Sequence, residues 1–237
     1  MDLRDFEPAR QSRRLSGNAA QKPALVDRLL FVCVLVELGA MSLAWNLVAP
    51  LLALVLPRGV AGRLGRSAIS FVYRSCWASA ERFGLMEIDS SALVARLPRG
   101  VCIMKAELLR NIFLGGGARL AQYIRNDVGR GMVRDAVASL REGNQLVLFP
   151  EGTRTVQSPI NAFKPGITLI AHLARVPIQT VVIETSSPYL TKGWPLLKAP
   201  PVPVRMRVRL GRRFAADADH RALLQRIERY FAEELAR

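Results

Sequence analysis

Gln145-Leu146-Val147-Leu148-Phe149-Pro150-Glu151-Gly152-Thr153-Arg154-Thr155 decides how this chain is read. Gln145 to Phe149 is short, apolar and β-prone, which suits a strand buried on both faces of a sheet. Pro150 closes the strand, Gly152 permits a tight turn, and Glu151 and Arg154 place both signs of charge in it. A charged turn at the end of a buried strand is where open α/β sheets hold their ligands. An ordinary strand exit with solvated charges fits the same residues.

The rest of the composition narrows the partners. The 237 residues are enough for one sizeable domain, or one domain with an appendage. Half of them are hydrophobic and the mean hydropathy is +0.17, yet 34 Lys and Arg give a formal charge of +15. Such a charge favours polyanions, either nucleic acid or an anionic membrane. The run Leu29–Leu56 favours the membrane, because it carries one charged side chain, Glu37, and one amide, Asn46. About 20 apolar residues suffice to cross a hydrocarbon core. Pro50 either bends this helix or splits it, which leaves open a single span and a helical hairpin lodged in one leaflet. A cleaved signal peptide is excluded by the late start, the length and the Leu-Pro-Arg ending. Basic residues on both sides, Arg10, Arg13, Arg14, Lys22 and Arg28 before and Arg58, Arg63 and Arg66 after, give a single span no clear orientation and suit a hairpin with both ends cytoplasmic. Aromatic and basic residues do not interleave as in a nucleic-acid groove, so no nucleic-acid partner is expected. Cys33, Cys76 and Cys102 lack metal spacing and read as buried thiols in a reducing compartment.

This divides the chain into a mobile polar start (1–24), a membrane-anchoring segment (25–58) and an α/β domain (59–237). Gly59–Leu85 reads as a helix with a basic face, suited either to lipid or to core packing. Helical spacing runs on through Glu81–Met86 directly into Glu87-Ile88-Asp89, with no strand between. Further helices are expected at Ser90–Leu97, at Glu107–Gln122 with a break at Gly115-Gly116-Gly117, at Met132–Arg141, at Gly166–Arg175 and from Asp219 towards Leu235. Strands are expected at Val101–Met104, Tyr123–Ile124, Gln145–Phe149, Ile178–Ile183 and Val204–Leu210. The class is α/β, with a mixed, mostly parallel sheet flanked by helices and preceded by the apolar segment.

Several blocks then occur in a recognisable order. Lys105-Ala106-Glu107-Leu108 is followed by Gly115 and by Tyr123-Ile124-Arg125-Asn126-Asp127. Phe149–Thr155 (FPEGTRT) comes next, then Phe163-Lys164-Pro165-Gly166 and Val176-Pro177-Ile178. This series resembles the glycerolipid (lysophospholipid) acyltransferase family, of the 1-acyl-sn-glycerol-3-phosphate acyltransferase type. The resemblance runs from Lys105 to Ile178, and the apolar segment upstream also fits it. It implies that Lys105, Arg125, Glu151, Gly152, Thr153, Arg154 and Lys164 bind the acceptor. Four cations around a dianionic glycerophosphate are chemically apt, since guanidinium offers forked donors to phosphate oxygens. Taken singly, each is an ordinary surface charge, and Glu151 equally suits an ion pair with Arg154 or Arg125. The resemblance further implies transfer of a fatty acyl group from acyl-CoA or acyl carrier protein to a lysophospholipid. It implies no bound cofactor, and as partners anionic membrane lipids and acyl carrier protein. The implied location is the cytoplasmic face of a cell inner membrane, in phospholipid biosynthesis.

One block is incomplete. The family's His-x-x-x-x-Asp supplies a general base and the carboxylate that orients it. Here Asp89 stands at the aspartate's place, and five residues earlier is Gly84. The two histidines present, His172 and His220, lie on an apolar helical stretch and at a solvated helix start. The alternative reading is therefore a non-catalytic lipid-binding relative, or a member that has lost an internal piece.

Overall fold

A computed structural model describes residues 22–90, 97, 99–127, 129–153, 160–189, 191 and 193–236. Arg154, nearly all of the expected helix Ser90–Leu97 and most of the polar start lie outside the described residues. The chain divides into two compact units. One comprises Cys33–Ala80 and Leu93–Leu148, and the other Met1–Val32, Glu81–Ala92 and Phe149–Arg237.

The apolar run forms one helix, α1 (Leu25–Val55), which continues through Pro50 rather than splitting there. At about 1.5 Å per residue its length exceeds the ~30 Å hydrocarbon core of a bilayer. Pro57 then turns the chain, its carbonyl accepting the N–H groups of Val60 and Ala61 at 2.9 Å, and α2 (Arg58–Arg82) begins.

Within the first unit α1, α2 and a short helix α3 (Gly115–Leu120) pack through small residues. Ala49, Ala61 and Leu120 form a buried cluster with Trp45, Leu52 and Leu56 against it. A β-carbon on Gly65 would lie 2.6 Å from the Ala121 nitrogen, so only glycine lets these backbones meet. Arg66, placed by sequence on the basic face, is instead 6% exposed, with Nη1 donating to the Ala121 carbonyl at 3.3 Å. Arg63, Arg74 and Arg82 remain exposed, so α2 buries one face and offers the other to solvent. Cys76 is buried, whereas Cys33, expected inside, is exposed on α1.

The expected break at the three glycines is also displaced. A 3-10 turn (Ala106–Arg110) ends before Asn111, and the glycines open α3 instead of interrupting it. A side chain from α1 explains this. Asn46 Oδ1 accepts the N–H groups of Gly116 and, at 3.1 Å, of Gly117, which α3 cannot satisfy itself. Its Nδ2 donates to the carbonyls of Phe113 and, at 2.8 Å, of Ser42. A β-carbon on Gly116 would meet the Asn46 carbonyl at 2.8 Å, and one on Gly117 would meet the Trp45 ring at 2.6 Å.

Beside these helices lies a parallel sheet in the order β3-β2-β4, with β2 at Gly100–Met104, β3 at Ile124–Arg125 and β4 at Gln145–Val147. Helix α4 (Arg130–Arg141) connects β3 to β4. The strand expected to be buried on both faces is shorter and only half-buried, because β4 is an edge strand, and Phe149 beyond it is 68% exposed.

In the second unit the sheet order is β1-β6-β5. Strand β1 (Met86–Ser90) is one the sequence pattern missed. It pairs in parallel with β6 (Val204–Phe214), which pairs antiparallel with β5 (Ile178–Thr185). Cross-strand charge holds β1: Glu87 pairs with Arg205 at 2.7 Å and Asp89 with Arg207 at 3.2 Å. Helix α5 (Gly166–Ala174) precedes β5, and α6 (His220–Ala236) follows β6. Asp219 caps α6, its Oδ1 accepting the N–H groups of Arg221 and Ala222 at 3.1 and 2.9 Å. Phe163, Phe214, Leu223 and Ile227 form the buried core of this unit. The α/β class, mixed and mostly parallel, is as expected, with the strands divided between two three-stranded sheets.

Asn46→Leu keeps the volume but strands two helix donors, at about 1–3 kcal/mol each. Thermal melts in detergent should show a loss of about 2–4 kcal/mol. Gly65→Ala should cost about 1–3 kcal/mol by overpacking, and Gly59→Ala, with nothing within 4 Å, should cost none.

Candidate functional site

Lys105 and Arg125 stand at the carboxyl ends of neighbouring parallel strands, where α/β sheets place ligands. Met104 and Arg125 are in register, and the Asn126 N–H donates to the Met104 carbonyl at 3.0 Å. A cleft of about 340 Å³ opens here, lined by Ala106, Leu109, Arg110, Arg119, Tyr123 and Arg125. Lys105 is not among its lining residues. Three guanidinium groups thus face one space of the size of a small ligand site.

Each wall has a structural cause. Arg119 extends from α3 and donates through Nη2 to the Leu109 carbonyl at 2.8 Å, joining α3 to the 3-10 turn. Arg125 is clasped by Asp127 through two hydrogen bonds of 3.0 and 2.6 Å. That bond holds the Asp127 carboxyl below its usual range and raises Arg125. Burial pushes the Tyr123 phenol well above its ordinary value, so it stays protonated and can donate. The cleft is cationic, with one carboxylate restraining Arg125. An incoming phosphate would exchange with that carboxylate for the same fork of donors.

The other unit holds the second group of expected residues. The Gly152 N–H donates to the Phe149 carbonyl at 3.0 Å, with Gly152 in the left-handed region at φ 66°. The Lys164 N–H donates to the Pro150 carbonyl at 2.8 Å, and Glu151 Oε2 accepts the Asn161 N–H at 3.2 Å. The FPEG and FKPG blocks are therefore clasped through their backbones, with Glu151, Gly152 and Lys164 brought together and Thr153 exposed beside them. Phe163 anchors the clasp: its ring is buried, and its N–H donates to Glu228 of α6 at 2.8 Å.

Asp89 is also in this unit, on β1, in its ion pair with Arg207. Gly84 lies in the turn before β1 at φ 66°. His172 Nδ1 donates to the Asp217 carbonyl at 2.9 Å, and its ring stacks on His220 with centroids 6.1 Å apart. Both imidazoles are thus engaged where α5 meets the start of α6. Among the described residues no group of three or more His, Cys, Asp or Glu is placed to hold a metal.

Comparison with known proteins adds a domain and a fold. Residues 86–184 match the family model described as Acyltransferase. The chain carries an acyltransferase domain. The crystal structure of the 1-acyl-sn-glycerophosphate (LPA) acyltransferase PlsC from Thermotoga maritima superposes with a TM-score of 0.65 at 16% identity. The alignment covers 88% of this chain and 94% of that one, so the two share a fold. No curated protein sequence matches the chain.

Sequence reasoning missed two arginines of the acyltransferase domain's cleft, Arg110 and Arg119. They were read on either side of a glycine break in one helical stretch, where their spacing suggested nothing. The turn at Asn111–Leu114 brings both to the same opening, and its composition, Asn-Ile-Phe-Leu before three glycines, gave little signal of it.

Binding of sn-glycerol 3-phosphate, followed by calorimetry, should weaken at least about tenfold in Arg125→Ala. It should strengthen about two- to fivefold in Asp127→Asn. Because the Asp127 pKa is depressed, its pairing with Arg125 persists above that pKa and is lost as the pH falls through it. The gap between wild type and Asp127→Asn should therefore close in acid, below about pH 4.

Proposed function

We propose that this protein is a membrane-bound acyltransferase that moves a fatty acyl group onto a lysophospholipid acceptor of the 1-acylglycerol-3-phosphate type. The observation that carries the reading is the cleft at the ends of β2 and β3, where Arg110, Arg119 and Arg125 converge within the matched domain. Three cations around one cleft suit a phosphate monoester better than a neutral alcohol. Acyl-CoA or acyl carrier protein is the donor in this reading, and the family resemblance assigns Glu151 and Lys164 to acceptor binding as well. Attachment to the bilayer is through α1, which is long and apolar enough to cross a membrane. Its large side chains at Leu25, Leu29, Val36, Leu47, Leu51 and Leu54 are exposed. The proposed location is the cytoplasmic face of an inner membrane, with anionic lipid drawn to the basic surface.

A second reading has its own observation. At the place of the family's histidine, Gly84 offers no side chain, and the carboxylate that would orient an imidazole is paired with Arg207. Loss of a general base costs about 10²- to 10⁴-fold in rate. A protein that binds the acceptor without turning it over is the alternative.

Membranes containing the protein, given labelled acyl donor and lysophosphatidic acid, should show acceptor-dependent acyl incorporation. Arg125→Ala and Glu151→Gln should lower kcat/KM by about tenfold or more. Retained acceptor binding with no incorporation would establish the non-catalytic reading.

A further inference from the structure

Between β5 and β6 the chain makes a proline-rich loop whose tip is Trp194-Pro195-Leu196-Leu197. Leu196 and Leu197 are 65% and 73% exposed. Adjacent exposed leucines beside a tryptophan are unlike the polar tips that water-facing turns favour.

Three donors around the tip are already paired. The Trp194 N–H donates to the Thr191 carbonyl at 3.3 Å, and the Lys198 N–H to the Pro195 carbonyl at 3.0 Å. The Trp194 indole Nε1–H donates to the Lys198 carbonyl at 2.9 Å. Among the described residues of the tip, only the Leu196 and Leu197 N–H groups are left to find acceptors, which the carbonyl and phosphate oxygens of a headgroup layer supply. Lys198 holds its ammonium 5.0 Å above the Trp194 ring, at the base of the apolar tip. An amphipathic ring with a lysine beside it is the chemistry of the headgroup layer.

The loop is continuous with the apolar helix. Tyr189 meets Trp194 edge-on at 6.3 Å and Phe31 of α1 edge-on at 5.7 Å. The flanking residues Leu29 and Val32 of α1 are themselves exposed.

We propose that the Trp194–Leu197 tip inserts into the surface of an anionic bilayer as a second lipid contact beside α1. The proposal rests on the reading of α1 as a membrane element. Two contacts would fix the rotation of this unit about α1, which one helix cannot do. Lys198 would meet lipid phosphate while the leucines enter the acyl boundary.

The test uses the full chain in phosphatidylglycerol–phosphatidylethanolamine vesicles, with and without lipids brominated near the headgroup. Emission of wild type minus that of Trp194→Phe isolates the Trp194 signal from Trp45 and Trp77. That difference should be quenched at least about twofold by brominated lipid, as expected for an interfacial tryptophan. Leu196→Ser/Leu197→Ser should abolish the quenching while vesicle flotation persists. Flotation of the wild type without quenching of Trp194 overturns the loop contact and leaves the α1 reading standing. Failure to float overturns both. Protection of Trp194 from acrylamide without bromolipid quenching means that protein covers the tip, and also overturns the proposal.

Discussion

One amide organises the first unit. Asn46 sits in a largely apolar helix, and there it caps the start of the short helix α3 by accepting from donors that α3 cannot satisfy. Glycine at 116 and 117 lets the two helices approach closely enough for that bond. The consequence reaches the chemistry. With α3 fixed at its start, Arg119 is aimed at the Leu109 carbonyl and borders the cleft with Arg110 and Arg125. A segment that reads in sequence as a membrane anchor is thus also a wall support for the anion site.

The positive charge has more than one destination. Along β6, Arg205, Arg207 and Arg209 are paired with acidic residues of β1, β5 and α6. These arginines register the strands and are compensated where they stand. The cleft arginines differ, since three of them share one opening beside a single aspartate. Net charge alone pointed to an anionic partner. The distribution of that charge shows which arginines are placed to meet one.

Much of the fold was legible because its signals were local. The alternation Val204-Arg205-Met206-Arg207-Val208 announced β6, and Asp219 announced the start of α6. The block Phe149–Gly152 and the block Phe163–Gly166 stood out as motifs, and their backbones are bonded together. What escaped depended on distant partners. Strand β1 was hidden because Glu87 and Asp89 look solvated until Arg205 and Arg207 arrive opposite them from far along the chain. The three glycines read as a break, since nothing near them in sequence reveals Asn46. Arg110 and Arg119 became visible only once the turn between them was known.

In the proposed reading, acceptor binding has residues to carry it and proton transfer lacks its base. By the resemblance, Gly84, in its turn, and Asp89, paired with Arg207, stand where a histidine and its aspartate would be expected. The central claim is accordingly one of recognition: the arginine cleft reads the acceptor's phosphate. The direct measurement is the affinity of the detergent-solubilised protein for lysophosphatidic acid against monoacylglycerol with the same acyl chain. The account predicts a preference for the phosphate-bearing lipid of at least about tenfold, falling towards unity in Arg125→Ala. Equal affinity for the two lipids in the wild-type protein would contradict it.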